Sequence, residues 1–281
     1  MSDSASVNSK HKLSSPKAIG FREGLIADEP LRMDVLANNA DFIALNKPAN
    51  ISLRQHPWDK NSANLDTALN HQLKEGKPEI IALGAGSFGS IYFYEKAISG
   101  ISLFSKHKAA LTILRNAFGS GLIEFQFKFI AQAEEGIEEH VINETPLIQH
   151  RYKFKMVPST AKGKRSRTEF TCLKRGTDSW GLWQAKCNFF RPHQLRIHAS
   201  LSGFQLMNDD LYRGVDAPTL ASVGKRKKVG DSDTKIFLVN KKDRILKRIS
   251  LISKNINHKN LDKKIKFLIK DIKKVETILF C

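Results

Sequence analysis

The chain has no run of eighteen apolar residues, which excludes an ordinary membrane-crossing helix. Its first 20 residues hold no apolar segment, so no secretory signal is expected. Cysteine is scarce: Cys172, Cys187 and Cys281 are odd in number and lack metal-ligand spacing. They fit a reducing compartment, the cytoplasm, and give no reason to expect a bound metal. Acidic residues are in short supply, 28 against 46 lysines and arginines, for a formal net charge of +18. Such an excess points to a polyanion partner, nucleic acid first, although part of it belongs to a Lys-rich tail. What is present in ordinary measure is apolar content, 41% of 281 residues, enough for a sizeable core in one large or two small domains.

The densest local signal is Phe190-Arg191-Pro192-His193-Gln194-Leu195-Arg196-Ile197-His198. Arg191, His193, Gln194, Arg196 and His198 place five hydrogen-bonding side chains on a short apolar frame, a set suited to phosphate or carboxylate. Leu195 and Ile197 alternate with Arg196 and His198, as in a strand edge or a tight turn entering a helix. Gly203 and Asp209-Asp210-Leu211-Tyr212-Arg213-Gly214 follow. This order resembles the RluA-type pseudouridine synthases, whose motif reads Gly-Arg-x-His-Gln-[Ile/Leu]-Arg-x-His, then Gly, then Gly-Asp-x-x-Tyr-Gly. Phe190 and Asn208 stand where that family has glycines, and Arg213 is inserted before Gly214. The resemblance runs from about residue 33 to 251. It implies an α+β fold, a mixed, mainly antiparallel sheet flanked by helices. It also implies an isomerase that converts uridine to pseudouridine in rRNA or tRNA with neither metal nor nucleotide cofactor.

Two further stretches carry the resemblance. Asn46-Lys47-Pro48-Ala49-Asn50 matches Asn-Lys-Pro-x-Gly, with Asn50, which tolerates a left-handed turn, in the Gly place; it is read as shaping the floor of the site. Tyr92-Phe93-Tyr94-Glu95 occupies the place of His-Arg-Leu-Asp, its register fixed by Ser99-Gly100. The resemblance therefore implies Glu95 in the seat of the catalytic Asp, one methylene longer, with Arg196 as its orienting cation. Tyr92 and Phe93 replace the His and the Arg that helps hold the flipped uridine; Phe93 is able to stack on a base. Phe129 takes the seat of a base-contacting Tyr and brings no hydroxyl for acid–base work. His193, Gln194 and Asp209 read as support around the RNA, with Arg191 beside them. Lys164, Arg165 and Arg167 form a basic loop suited to RNA phosphates. The expected site is thus Glu95, Arg196 and Phe129 for chemistry, and Tyr92, Phe93, Arg191, His193, Gln194, Lys164, Arg165 and Arg167 for RNA. So many changes leave an alternative open, a catalytically silent RNA-binding protein that keeps the fold.

Around these motifs the chain divides into a mobile arm at 1–30, a synthase-like domain at 31–251 and a Lys-rich amphipathic helix at 252–281. Periodicity predicts a strand at 41–51, helices at 64–74 and 106–118, and strands at 101–105, 122–133, 151–156, 166–173 and 182–188. The Gly-rich stretch 84–90 lacks the lysine or helix start of a phosphate cradle and reads as a flexible connector. Residues 235–251 are expected to rejoin the sheet. Leu261, Ile265, Leu268, Ile272, Val275 and Leu279 form a heptad-like stripe that fits docking on the body, a partner protein, RNA or a membrane surface.

Overall fold

A computed structural model describes residues 15–55, 62–176 and 179–216, together with two short strands at 248–250 and 276–278. Two five-stranded antiparallel sheets form the body. The first has the order β1 (Ala18–Phe21), β2 (Leu31–Asn38), β3 (Phe42–Lys47), β5 (Gly100–Ser105), β4 (Gly89–Ser90). The second has the order β12 (Phe204–Leu206), β6 (Phe125–Ala133), β11 (Trp180–Cys187), β10 (Thr168–Arg175), β7 (His140–Asn143). A small hairpin, β8 (Leu147–Gln149) and β9 (Met156–Pro158), projects beside the second sheet.

The sequence explains the difference between the strands. β3 and β5 read as nearly continuous apolar runs and are buried along most of their length, flanked by strands on both edges. β11 alternates, and Gly181, Trp183, Ala185 and Cys187 are its buried positions. Trp183, Phe170, Phe204 and Phe129 pack with ring centroids 4.5 to 6.1 Å apart, filling the interior with aromatic area.

Helix α1 (Leu65–Lys74) starts at Asn64, whose side chain accepts the Thr67 amide. Helix α2 (Pro78–Ile81) has Pro in its first turn. Helix α3 (Lys108–Gly119) is capped by His107, which accepts the Ala110 amide. Helix α4 (Gln194–Leu201) opens directly after His193, so the motif resolves as a turn entering a helix.

Several expectations need correction. Residues 18–21 are a strand paired to β2, so the body begins well inside the expected arm; residues 1–14 lie outside the described residues. The strand expected at 151–156 is only its last residue: 151–155 is an exposed bend anchored by β9. The 84–90 stretch is docked, not loose, because the Gly86 and Ser87 amides donate to Lys106 and the Phe88 amide to Asn70. Of residues 217–281 only β13 (Arg248–Ser250) and β14 (Glu276–Ile278) are described, and they pair antiparallel with each other. At 276–278 the backbone is therefore a strand rather than the expected helix; the heptad stripe and the Lys225–Lys228 run lie outside the described residues.

Candidate active site

A cleft of about 780 Å³ opens between the 91–99 loop, the C-terminal half of α3, the β8–β9 hairpin and the turn into α4. Its lining combines aromatic faces, Tyr92, Phe93, Phe118, Phe189 and Phe190, with the cations Arg54, Arg115, Lys164 and Arg191. Two departures from the motif meet here. Tyr92 and Phe190 touch, ring centroids 5.9 Å apart, and both pack edge-on against Phe125. The ring expected in the place of a glycine thus packs against the ring expected in the place of a histidine. Phe93 faces the guanidinium of Arg54, 5.8 Å from its centroid. Arg115, which donates to the Ser90 carbonyl at 3.1 and 2.9 Å, lies close enough for its charge to lower the pKa of Arg54 after burial. A flat ring with two guanidiniums nearby suits a base attached to a phosphate.

Glu95 sits just behind this lining. Its carboxylate accepts the backbone amide of His193. Burial pushes its pKa above the usual carboxylate value; the charge of Arg196 and the His193 amide pull it back, and Asp209 adds to the rise. Beneath it Lys47 is fully buried. Its ammonium donates to the carbonyls of Pro48 and Ile51 at 2.8 Å and of Lys96 at 3.2 Å, and lies 5.3 Å over the Tyr94 ring. Burial lowers its pKa to about 7, against the attraction of Glu95. Three acceptors match the three donors of the charged form.

The motif helix holds this carboxylate through a linked set of polar contacts. His193 adopts a left-handed backbone, φ 55°, and its Nδ1 lies 2.9 Å from the Tyr212 hydroxyl. That hydroxyl also accepts the Met156 amide at 2.8 Å, tying the β8–β9 hairpin to the site. Asp209 accepts both nitrogens of the Arg196 fork at 2.8 and 2.7 Å, and the amides of Leu211 and Tyr212 at 3.0 Å. These four bonds hold its carboxyl below the usual range despite burial. Gln194 accepts the Arg191 amide and donates to the Arg167 carbonyl and to Thr168 Oγ1. His198, buried with its pKa lowered by that burial, spans Thr168 Oγ1 and the Thr145 carbonyl, both at 2.9 Å.

The comparisons with known proteins point one way. No family model matches the chain. Pseudouridylate synthase RPUSD2 of Homo sapiens is 25% identical over 193 residues, 68% of this chain and 32% of that protein. The uncharacterized RNA pseudouridine synthase YjbO of Bacillus subtilis is 26% identical over 197 residues, 68% of this chain and 64% of that protein. The chain is similar to RNA pseudouridine synthases over about two thirds of its length. It covers less than two thirds of the length of these relatives. The solved structure of human RNA pseudouridylate synthase domain containing 4 has the same fold, with a TM-score of 0.51, 14% identity and 88% of this chain against 81% of that one.

The expected residues separate in the structure. Tyr92, Phe93, Lys164 and Arg191 line the cleft together. Arg165 and Arg167 line a second cleft of about 730 Å³, where Arg167 is paired with Glu144 at 2.6 Å. Three readings change. The Arg196 fork grips Asp209, so its effect on Glu95 is exerted through charge. Phe129 is buried against Phe170 and Phe204, apart from the residues lining the cleft. Gln194, 1% exposed, is a buried brace instead of an RNA contact. Arg54 and Arg115 were not expected in the site, and Lys47 was expected only as part of the turn that shapes its floor. The signal for Lys47 was the Asn-Lys-Pro turn; nothing local marks Arg54 or Arg115, which reach the cleft only by folding.

Proposed function

We propose that this protein is an RluA-type enzyme that converts uridine to pseudouridine in RNA, rRNA or tRNA, in the cytoplasm, with Glu95 as the catalytic carboxylate. The reaction breaks the bond between ribose C1′ and uracil N1 and makes one to C5; N1 gains a proton and C5 loses one. The observation that carries the reading is the setting of Glu95: a carboxylate of raised pKa, fixed by the His193 amide at the head of the motif helix, in the field of Arg196, beside a cleft shaped for an extruded base. Its longer side chain is accommodated because the His193 amide reaches it. Phe93 offers the face on which the base stacks, and Arg54 and Arg115 supply the phosphate contacts that the replaced arginine would have made.

One observation favours a second reading. Phe129 has no hydroxyl and is packed in the core, so the seat that contacts the base elsewhere in the family offers no acid or base here. On that reading the protein binds RNA and does not turn it over. Release of tritium from RNA labelled at uridine C5 separates the two. The enzyme reading expects release by the wild type and loss of it in Glu95→Ala; binding without release by the wild type supports the second.

A further inference from the structure

We infer that the tip of the β8–β9 hairpin, residues 150–155, is a stacking platform for unpaired RNA bases that flank the target uridine. The inference rests on the RNA reading above and extends it to what the RNA must offer. Tyr152 is 78% exposed and Phe154 68% exposed, against 48% for Ile81, the next most exposed large hydrophobic side chain among the described residues. Single exposed rings are ordinary; two within three residues, on a projecting tip, are not. They alternate with Arg151, Lys153 and Lys155, and the Arg151 guanidinium lies 5.2 Å from the Tyr152 centroid. Aromatic faces interleaved with cations suit bases and phosphates of a single strand, because every base has a face and every linkage a charge.

The tip is built, not merely loose. The His150 imidazole accepts the amides of Tyr152 and Lys153 at 3.1 and 3.0 Å, and the Lys155 carbonyl accepts the His150 amide at 2.8 Å. Below it β8 and β9 close on a small core of Leu147, Met156, Ile197 and Tyr212. The same hairpin lines the catalytic cleft through Leu147, Ile148, Gln149 and Met156. A strand whose uridine enters the cleft therefore passes the tip within a few nucleotides. Its charge opposes that of RNA, and among partners with apolar contact surface a polyanion fits this alternation best.

The test uses the full chain and two fluorescein-labelled RNAs, a stem-loop with an unpaired uridine-rich loop and the fully paired duplex of the same stem. Binding is followed by anisotropy across a salt series. Tyr152→Ala with Phe154→Ala is expected to weaken stem-loop binding by about tenfold or more while changing duplex binding little, with the salt slope unchanged. Lys153→Ala with Lys155→Ala is expected to weaken both RNAs and to lower the salt slope by about 1 to 2. The exposed positions should leave the melting temperature unchanged. Wild-type binding that the double aromatic variant leaves intact overturns the platform and leaves the RNA reading standing. Failure of the wild type to bind either RNA overturns both. A change in sedimentation coefficient of the aromatic variant, with RNA binding intact, assigns the tip to a protein contact and also overturns the inference.

Discussion

Asp209→Ala should be the most damaging single change near the site that leaves Glu95 and the cleft lining untouched. Asp209 is buried and holds four donors: two of the Arg196 fork and the amides of Leu211 and Tyr212. Removing one partner of a buried, hydrogen-bonded ion pair costs about 3–5 kcal/mol. Arg196 keeps part of its side chain in water, which places the expected loss toward the lower end. For a body of this size that is a fall in melting temperature of about 6–15 °C. Asp209→Asn retains an acceptor for the two amides and loses the charge, so about half that loss is expected. The pH dependence gives an independent check. The folded pKa of Asp209 is lowered, so its stabilisation is present above the unfolded value of about 3.9 and is lost as pH falls through the lower folded value. The wild-type and Asp209→Asn curves should therefore converge in acid below about pH 4. Thermal melts followed by circular dichroism between neutral and acid pH suffice. A fall of under about 2 °C for Asp209→Ala would refute the reasoning, as would a gap to Asp209→Asn that does not narrow in acid.

Three other expectations concern the site and its frame. Because burial raises the Glu95 pKa, the acid limb of kcat/KM should lie above the ordinary glutamate value, and a profile flat down to the ordinary value would contradict an essential Glu95 carboxylate. Lys47 has a folded pKa of about 7 against 10.5 in the unfolded chain. The unfolded chain then binds more protons between those values, so stability should rise with pH across that window, by up to about 1.4 kcal/mol per pH unit; Lys47→Met should remove the rise, read from urea midpoints. At Gly163 an added Cβ would collide with the Ser159 carbonyl oxygen and lie 2.7 Å from the Pro146 carbonyl carbon. Gly163→Ala should cost about 1–3 kcal/mol and weaken RNA binding through the hairpin, measured by melting and anisotropy.

The parts of the fold that were legible in the sequence are those decided locally. Asn64 caps α1, and α3 follows the apolar spacing after Lys106. Asn50 and Asn208, standing where the resembled motif has glycine, do adopt left-handed backbones, φ 66° and 59°, because asparagine accepts that conformation at small cost. Arg213, the inserted residue, shares it at φ 60°. The parts that were not legible depend on distant contacts. β1 has a short, ordinary sequence and becomes a strand only because β2 offers an edge. Arg196 is separated from Asp209 by the rest of α4 and the strand β12. Its choice of Asp209 over Glu95 follows from a carboxylate that also accepts two amides and so sits fixed before the fork. Tyr92 and Phe190, expected in the places of a histidine and a glycine of the resembled motif, read along the chain as two separate departures. In space they form one packed contact. Phe129 shows the converse: a seat named by order along β6 is occupied by a core residue.

The most direct test of the central claim is tritium release from RNA labelled at uridine C5, with wild type, Glu95→Ala and Glu95→Gln run together and each protein's RNA binding measured in parallel. The account predicts release by the wild type and a loss of at least about a hundredfold in both variants, with RNA binding retained in all three. Release that survives in Glu95→Gln would contradict it, because the amide cannot supply the charge that the reaction is proposed to use.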